Sequence, residues 1–286
     1  MNEKIETSKA QVSSYLYEEI FKRHDKLIAR IHSVFANGFN VQFKDQLIFV
    51  GYQRGNLSAM GIIIETPLLK DVLSRITAGD QVRIQIQRQD DNRIDLGWTL
   101  YSRPHTKSFT LSNLTFVETH VPHIELNTLL KSQLLAVLEA ANVWSDTGFA
   151  KSSQLQDYYD HLMGQFEIKR LRSLIGAGMG LTPSGDDLLQ GMILIEQVTQ
   201  KEPVIQRAVT DLLTERSTTD VSRAYYDALF KGYVNESWIK LLKAVEQDDR
   251  PSIEGCIREI RKYGATSGND ILFGVQSYLL LKLKEN

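Results

Sequence analysis

The chain has 286 residues, and its 33 basic and 35 acidic side chains give a formal net charge of −2. Nucleic-acid-binding proteins usually carry a strong basic excess, so this balance argues against that class. Hydrophobic residues make up 42% of the chain, which excludes bulk disorder, and the single cysteine, Cys256, excludes an internal disulfide framework. No apolar run approaches the ~20 residues that span a bilayer and no signal core is visible, so we expect a cytoplasmic protein.

The first predicted element is an amphipathic helix over residues 9–35. Apolar side chains recur there at helical spacing, at Leu16, Ile20, Leu27, Ile31 and Phe35. The pattern stops before Asn37-Gly38, a pair that favours a turn.

Between residues 38 and 118 the chain changes to short segments rich in β-branched and aromatic residues. Residues 82–87 alternate strictly between apolar and polar, which predicts a half-buried strand. Asp90-Asp91-Asn92 predicts a turn into a second alternating run at 93–98. With one short helix near 67–77, this stretch fits a small antiparallel sheet or barrel.

After Pro122 the apolar period becomes helical and stays so. We predict helices over about 124–143, 152–175, 186–200, 203–216, 219–231, 235–247, 251–262 and 270–284. Strands followed by helices, without βαβ alternation, indicate an α+β fold. We therefore predict a β-rich N-terminal domain, residues 1–121, and a helical C-terminal domain, residues 122–286.

The most informative feature is a local pattern that occurs twice in the helical part. Residues 184–191 and 267–274 both follow Ser-Gly-(Asp/Asn)-Asp-(Leu/Ile)-Leu-x-Gly. Gly176 and Gly264 precede the two copies and can end the previous helices in a left-handed conformation. Each serine can cap the following helix, with the aspartate three residues on completing a capping box. On this interpretation both copies are ordinary helix–turn–helix joints.

The repeated glycines favour a second interpretation. Capping does not require the glycine after the serine, or the one inside the following helix, where glycine costs ~1 kcal/mol relative to alanine. Small residues at these places allow close approach by the other turn or by a ligand. Free backbone N–H groups at a helix N-terminus bind anions. Two converging ends therefore predict a site for a small anionic metabolite.

The predicted substrate-binding residues lie in the two turns and at one further helix start. They are Thr182, Ser184, Gly185, Asp186, Asp187, Thr219, Ser222, Thr266, Ser267, Gly268 and Asp270. The aspartates bring negative charge to an anion site, so they either point into the caps or hold magnesium that bridges to the ligand. Asp186 and Asp187 would be the ligands of that magnesium. Thr219 equally suits an ordinary N-cap, and no catalytic residue is assigned.

Three segments resemble a bacterial family represented by AllH, a subunit of oxamate carbamoyltransferase. They are residues 178–187 with Gly191, residues 218–222 leading to Tyr225 and Gly232-Tyr233, and residues 264–270 with Gly274. The resemblance covers 170–284, and its Gly-Leu-Thr-Pro-Ser-x-Asp-Asp string is specific. One departure is Ala265, where AllH-like sequences often carry histidine.

The resemblance implies a component of a carbamoyltransferase in allantoin and purine nitrogen catabolism. In that reaction phosphate cleaves oxalurate to oxamate and carbamoyl phosphate. Such acyl transfer needs stabilisation of the carbamoyl oxyanion and neutralisation of phosphate and a carboxylate. The implied partners are a small anionic metabolite and two other subunit types. The alternative is a non-catalytic structural or assembly subunit, or a sensor of the same metabolites.

Overall fold

The computed structural model describes residues 6–52, 56–89, 93–199 and 202–285. The chain divides into two compact units. The described residues of 1–120, together with 234–236, form the first, and those of 121–233 and 237–286 form the second. That residues 1–121 and 122–286 are separate domains remains a prediction. No described helix has the length and hydropathy to cross a membrane.

The first unit is a closed barrel of eight strands. They are β1 (Glu6–Ser13), β2 (Lys26–Phe35), β3 (Gly38–Phe43), β4 (Gln46–Gly51), β5 (Gly61–Ile64), β6 (Gln81–Arg88), β7 (Ile94–Ser102) and β8 (His105–Val117). Their order around the barrel is β1-β5-β4-β3-β2-β6-β7-β8. The pairs β1–β8 and β4–β5 are parallel and the others antiparallel. The expected sheet or barrel is therefore a closed barrel.

Both strands predicted from alternation are confirmed as β6 and β7. The predicted turn at 90–92 lies outside the described residues. The short helix near 67–77 is confirmed as α2 (Thr66–Leu73). Trp98 and Phe109 stack with their ring centroids 5.8 Å apart, and both are buried in the core.

The helix predicted over residues 9–35 is wrong. That stretch forms β1, a short helix α1 (Ser14–Leu16) with a π-helical turn Tyr17–Phe21, and β2. In β2, Leu27, Ala29 and Ile31 are buried, whereas Ile28 is 60% exposed. Apolar residues four positions apart fit an alternation of period two as well as a helix of period 3.6, and tertiary packing selects the strand here.

The second unit is helical. Its helices are α3 (Leu126–Lys131), α4 (Leu134–Ala140), α5 (Ser153–Gly164), α6 (Ser184–Thr199), α7 (Val204–Glu215), α8 (Asp220–Phe230), α9 (Glu236–Glu246, whose first residue belongs to the barrel unit), α10 (Arg250–Ile260) and α11 (Ser267–Glu285). Six predicted helices are confirmed as α6 to α11. The long helix at 124–143 is divided because Ser132 is extended, and that at 152–175 because Gln165 is extended.

The centre of this unit is the pair α6 and α11. Almost every residue of α6 is buried, polar ones included. A helix that is buried on all sides lies at the middle of its unit. The two helices carry the two copies of the repeated pattern, so the repeat is built around their contact.

Candidate functional site

The two turns have the backbone conformation that their glycines predict. Gly176 has φ +69° and Gly264 has φ +56°, and each follows the helical segment that precedes its copy. These values lie in the left-handed region that glycine adopts without steric cost. The turns direct the chain into α6 and α11, which begin at Ser184 and Ser267.

The predicted capping by the serines is wrong. The backbone N–H of Asp187 donates to the carbonyl of Pro183, and that of Asp270 donates to the carbonyl of Thr266. Pro183 and Thr266 therefore occupy the N-cap positions, and each serine is the first residue inside its helix. The serine hydroxyls have other partners.

The side chains of the two turns meet in a crossed arrangement. Thr182 Oγ1 and Ser267 Oγ are 2.7 Å apart and hydrogen bonded. The hydroxyls of Ser267 and Thr182 lie close enough to the Asp187 carboxyl to favour its ionised form, and the Ser184 hydroxyl does the same for Asp270. Each serine hydroxyl thus lies beside the aspartate of the other helix. Together with Thr266, which also hydrogen bonds to Asp270, these residues form a group that we call the turn cluster.

A third segment completes the turn cluster. The backbone N–H of Gly148 donates to Asp270 Oδ1 at 2.9 Å. A Cβ atom on this glycine would lie 2.0 Å from Ser184 Oγ, so no larger residue fits without displacing the serine. Gly148 was not predicted from the sequence, because it follows a short 3₁₀ segment and belongs to no recognisable local motif.

Two carboxyl oxygens of the turn cluster lack a donor. Asp187 Oδ2 and Asp270 Oδ2 are buried and have no hydrogen-bond partner among the described residues. Burial, and then repulsion from Asp270 and Asp186, raises the pKa of Asp187 well above its usual range. Burial also raises the pKa of Asp270, with Lys151 opposing it weakly. Two buried carboxyls that repel each other titrate as a coupled pair, and burial favours the form of the pair that holds a proton.

Asp186 has a different role from its neighbour. Its Oδ1 accepts from the Gly176 N–H at 3.2 Å and from Tyr226 Oη at 3.1 Å, and its Oδ2 accepts from Thr218. Burial raises its pKa, although these donors oppose the shift. Both oxygens are occupied, so this carboxyl joins the first turn to α8.

The structure does not bring Asp186 and Asp187 together as magnesium ligands. Asp186 faces Thr218 and Tyr226, whereas Asp187 faces Asp270. Among the described residues no three His, Cys, Asp or Glu side chains gather closely enough to hold a metal ion. We therefore base no step of the proposed function on magnesium.

Part of the helical unit is similar to a known family. Residues 174–279 match the family described as Oxamate carbamoyltransferase subunit AllH. We call this stretch the AllH segment. It contains both turns, α6 and α8, and most of α11, but neither the barrel nor Gly148. No curated protein and no solved structure matches the chain.

Within the AllH segment, two of the predicted site glycines contact protein backbone. A Cβ on Gly185 would lie 2.1 Å from the Leu174 carbonyl oxygen, and one on Gly268 would lie 1.9 Å from that of Ile260. In each copy, the glycine after the serine therefore lets the start of the helix pass close to the end of the preceding helical segment.

The predicted residues at the start of α8 lie with Asp186. Thr219 is the N-cap of α8, accepting from the Ser222 N–H at 3.0 Å, and its hydroxyl donates to the Leu181 carbonyl. Ser222 is fully buried, and its hydroxyl lies near the Asp186 carboxyl and opposes the rise in its pKa, but it has no hydrogen-bond partner among the described residues. The structure thus divides the predicted site residues of the AllH segment between the turn cluster and the network around Asp186.

Proposed function

We propose that this chain is a subunit of an oxamate carbamoyltransferase and that the turn cluster binds one of its small substrates. The support is that the AllH match includes both copies of the repeat, whose turns are joined by the Thr182–Ser267 hydrogen bond and whose serines lie beside the aspartates of the other copy. Under this proposal the partners are the other subunits of the enzyme, and the pathway is nitrogen release from allantoin.

The chemistry of that reaction suits a cluster of hydroxyls at two helix starts. An oxygen of phosphate bonds to the carbamoyl carbon of oxalurate, and the bond from that carbon to the oxamate nitrogen breaks. The nitrogen gains a proton, and the phosphate hydroxyl loses one. Backbone N–H groups at helix N-termini and hydroxyl donors can stabilise the developing oxyanion. A carboxyl with a raised pKa can hold the proton that moves.

The observation that carries the proposal is the presence of two buried carboxyl oxygens without donors in an otherwise satisfied cluster. Buried polar atoms in proteins are nearly always hydrogen bonded, and a catalytic role or a bound molecule is one explanation of an exception. Asp187 Oδ2 and Asp270 Oδ2 are such exceptions, and both belong to the AllH segment.

Isothermal titration calorimetry tests the proposal. The chain, alone and assembled with its partner subunits, is titrated with oxalurate, oxamate, phosphate and carbamoyl phosphate. We expect heat from at least one of the four ligands, and about 10-fold weaker binding in Ser267→Ala because a donor of the cluster is lost. Glu254→Gln, a half-buried position on α10 whose carboxylate pairs with Arg250 rather than with the turn cluster, serves as the matched control and should bind as the wild type does. Absence of heat from all four ligands in both preparations would contradict the proposal.

A structural or assembly subunit is the second candidate, supported by the direct contact between Thr182 and Ser267. On that view the two turns hold α6 and α11 together, and a partner subunit carries out the reaction or senses the metabolites. Asp187→Asn would then leave the activity of the assembled enzyme unchanged per folded molecule. A large loss of that activity would exclude this candidate.

A further inference from the structure

We propose that Asp187 Oδ2 and Asp270 Oδ2 accept hydrogen bonds from the N–H groups of an amide or ureido ligand. This inference rests on the proposed function and specifies which end of the substrate enters the turn cluster. The nitrogen-bearing end lies against the two carboxyls, and the anionic end lies away from them.

The distribution of donors within the cluster supports this orientation. Asp270 Oδ1 already accepts from the Gly148 N–H at 2.9 Å, and the hydroxyls of Ser267 and Thr182 lie beside the Asp187 carboxyl. What the cluster lacks is a donor for one further oxygen on each aspartate. A ligand that supplies N–H groups removes the cost of leaving these acceptors unpaired, and a ligand that supplies only acceptors does not.

An anionic end is the wrong partner for these two oxygens. A carboxylate or a fully ionised phosphate has no hydrogen to donate and is repelled by a carboxylate. A metal cation is also disfavoured, because both aspartates lie in the first turns of helices whose N-terminal ends are partially positive. The described residues also provide no third acidic, histidine or cysteine ligand beside the pair. A neutral N–H donor avoids both conflicts.

The protonation of the pair favours an amide in particular. Burial raises the pKa of both carboxyls and so favours their protonated forms, and a protonated carboxyl presents an O–H donor beside a carbonyl acceptor. A primary amide presents the complementary set, one carbonyl acceptor and an NH₂ donor. Oxamate and the ureido end of oxalurate both carry this group.

Entry to the two oxygens involves the contact between Thr182 and Ser267. Both Oδ2 atoms are closed to solvent, whereas these two hydroxyl-bearing residues are partly exposed. They are joined by the 2.7 Å hydrogen bond, and both hydroxyls lie beside the Asp187 carboxyl. Thr182 follows a loop with left-handed glycines, Gly178 at φ +122° and Gly180 at φ +93°. A ligand therefore reaches the carboxyls by separating Thr182 from Ser267.

A comparison of two nearly identical ligands tests the inference. Oxamate and pyruvate share the α-keto carboxylate outline and differ in an NH₂ group against a CH₃ group. In calorimetric titrations of the full chain, with its partner subunits where binding requires them, we expect oxamate to bind at least about 10-fold more tightly than pyruvate. The ratio of the affinity for oxamate to that for pyruvate should fall towards one in Asp270→Ala and stay as in the wild type in Glu254→Gln.

The outcomes separate this inference from the proposed function. Equal affinity for oxamate and pyruvate overturns the inference and leaves the proposed function intact. No binding of oxamate, oxalurate, phosphate or carbamoyl phosphate overturns both. Saturable binding of Mg²⁺ or K⁺ that is lost in Asp270→Ala, without an oxamate preference, assigns the cluster to a cation and also overturns the inference. Because the ligand comparison uses the wild-type chain, it stands even if a variant fails to fold.

Discussion

Gly191 and Gly274 lie against each other where α6 and α11 cross. A Cβ on Gly191 would lie 2.1 Å from the Ile271 carbonyl oxygen, and one on Gly274 would lie 2.1 Å from that of Leu188. These are the last glycines of the two copies of the repeat. The small residues therefore allow the backbones of α6 and α11 to approach each other closely at these positions. This close crossing brings the starts of the two helices together.

Replacing either of these two glycines by alanine should destabilise the protein by about 3 kcal/mol, because a methyl group must push backbone away from backbone. The matched control is Gly255→Ala on α10, where the nearest atom to a Cβ is Arg258 Nη2 at 3.8 Å. That change should stabilise by about 0.5–1 kcal/mol through helix propensity. Urea unfolding of the three variants measures the difference, and a Gly191→Ala variant as stable as wild type would contradict the packing.

Amide substitution should destabilise the protein much more at Asp186 than at Asp187. Asp186→Asn turns an NH₂ group towards donors such as Thr218, Tyr226 or the Gly176 N–H, and we expect a loss of about 2–3 kcal/mol. Asp187→Asn replaces a carboxyl with a raised pKa by a neutral group of the same shape, and stability should change by less than about 1 kcal/mol. Equal losses in the two variants, measured by chemical unfolding, would contradict the separate roles assigned to them.

Stability should depend on pH through Asp187 and Asp270. Because the folded chain raises their pKa values, it binds their protons more tightly than the unfolded chain does. The two aspartates contribute fully to the free energy of unfolding below the usual carboxyl pKa. This contribution is lost as the pH rises through their raised pKa values in the folded chain. Asp187→Asn removes part of this loss, so the variant should gain stability relative to wild type between about pH 4 and pH 8. Parallel unfolding curves across that range would show that the pKa of Asp187 is not raised.

The backbone at Gly148 should control ligand affinity. In Gly148→Ala the new methyl group displaces Ser184 Oγ and shifts the N–H that binds Asp270, so we expect about 10-fold weaker binding of oxamate. Gly164→Ala is the control, because a Cβ at that position meets no atom within 4 Å. Calorimetry on both variants, with thermal unfolding to check folding, measures the effect. Unchanged affinity in Gly148→Ala would remove this glycine from the site.

The sequence specifies the helical unit better than the barrel's first strands. Left-handed Gly176 and Gly264 follow from glycine chemistry, and the repeat itself suggests two equivalent turns. The region 9–35 was misassigned because Leu27 and Ile31 fit both periodicities. The contacts of the two serines could not be predicted. A serine three residues before an aspartate gives the same sequence pattern whether its hydroxyl caps its own helix or lies beside another helix. Gly148 was missed because its role depends only on the tertiary contact with Ser184.

The most direct test of the central claim is a crystal structure of the chain, with its partner subunits, grown with oxamate and phosphate. The account predicts the oxamate nitrogen about 2.7–3.2 Å from Asp187 Oδ2 and Asp270 Oδ2, with Thr182 separated from Ser267. Oxamate bound elsewhere, with the turn cluster unchanged and the Thr182–Ser267 hydrogen bond intact, would contradict it.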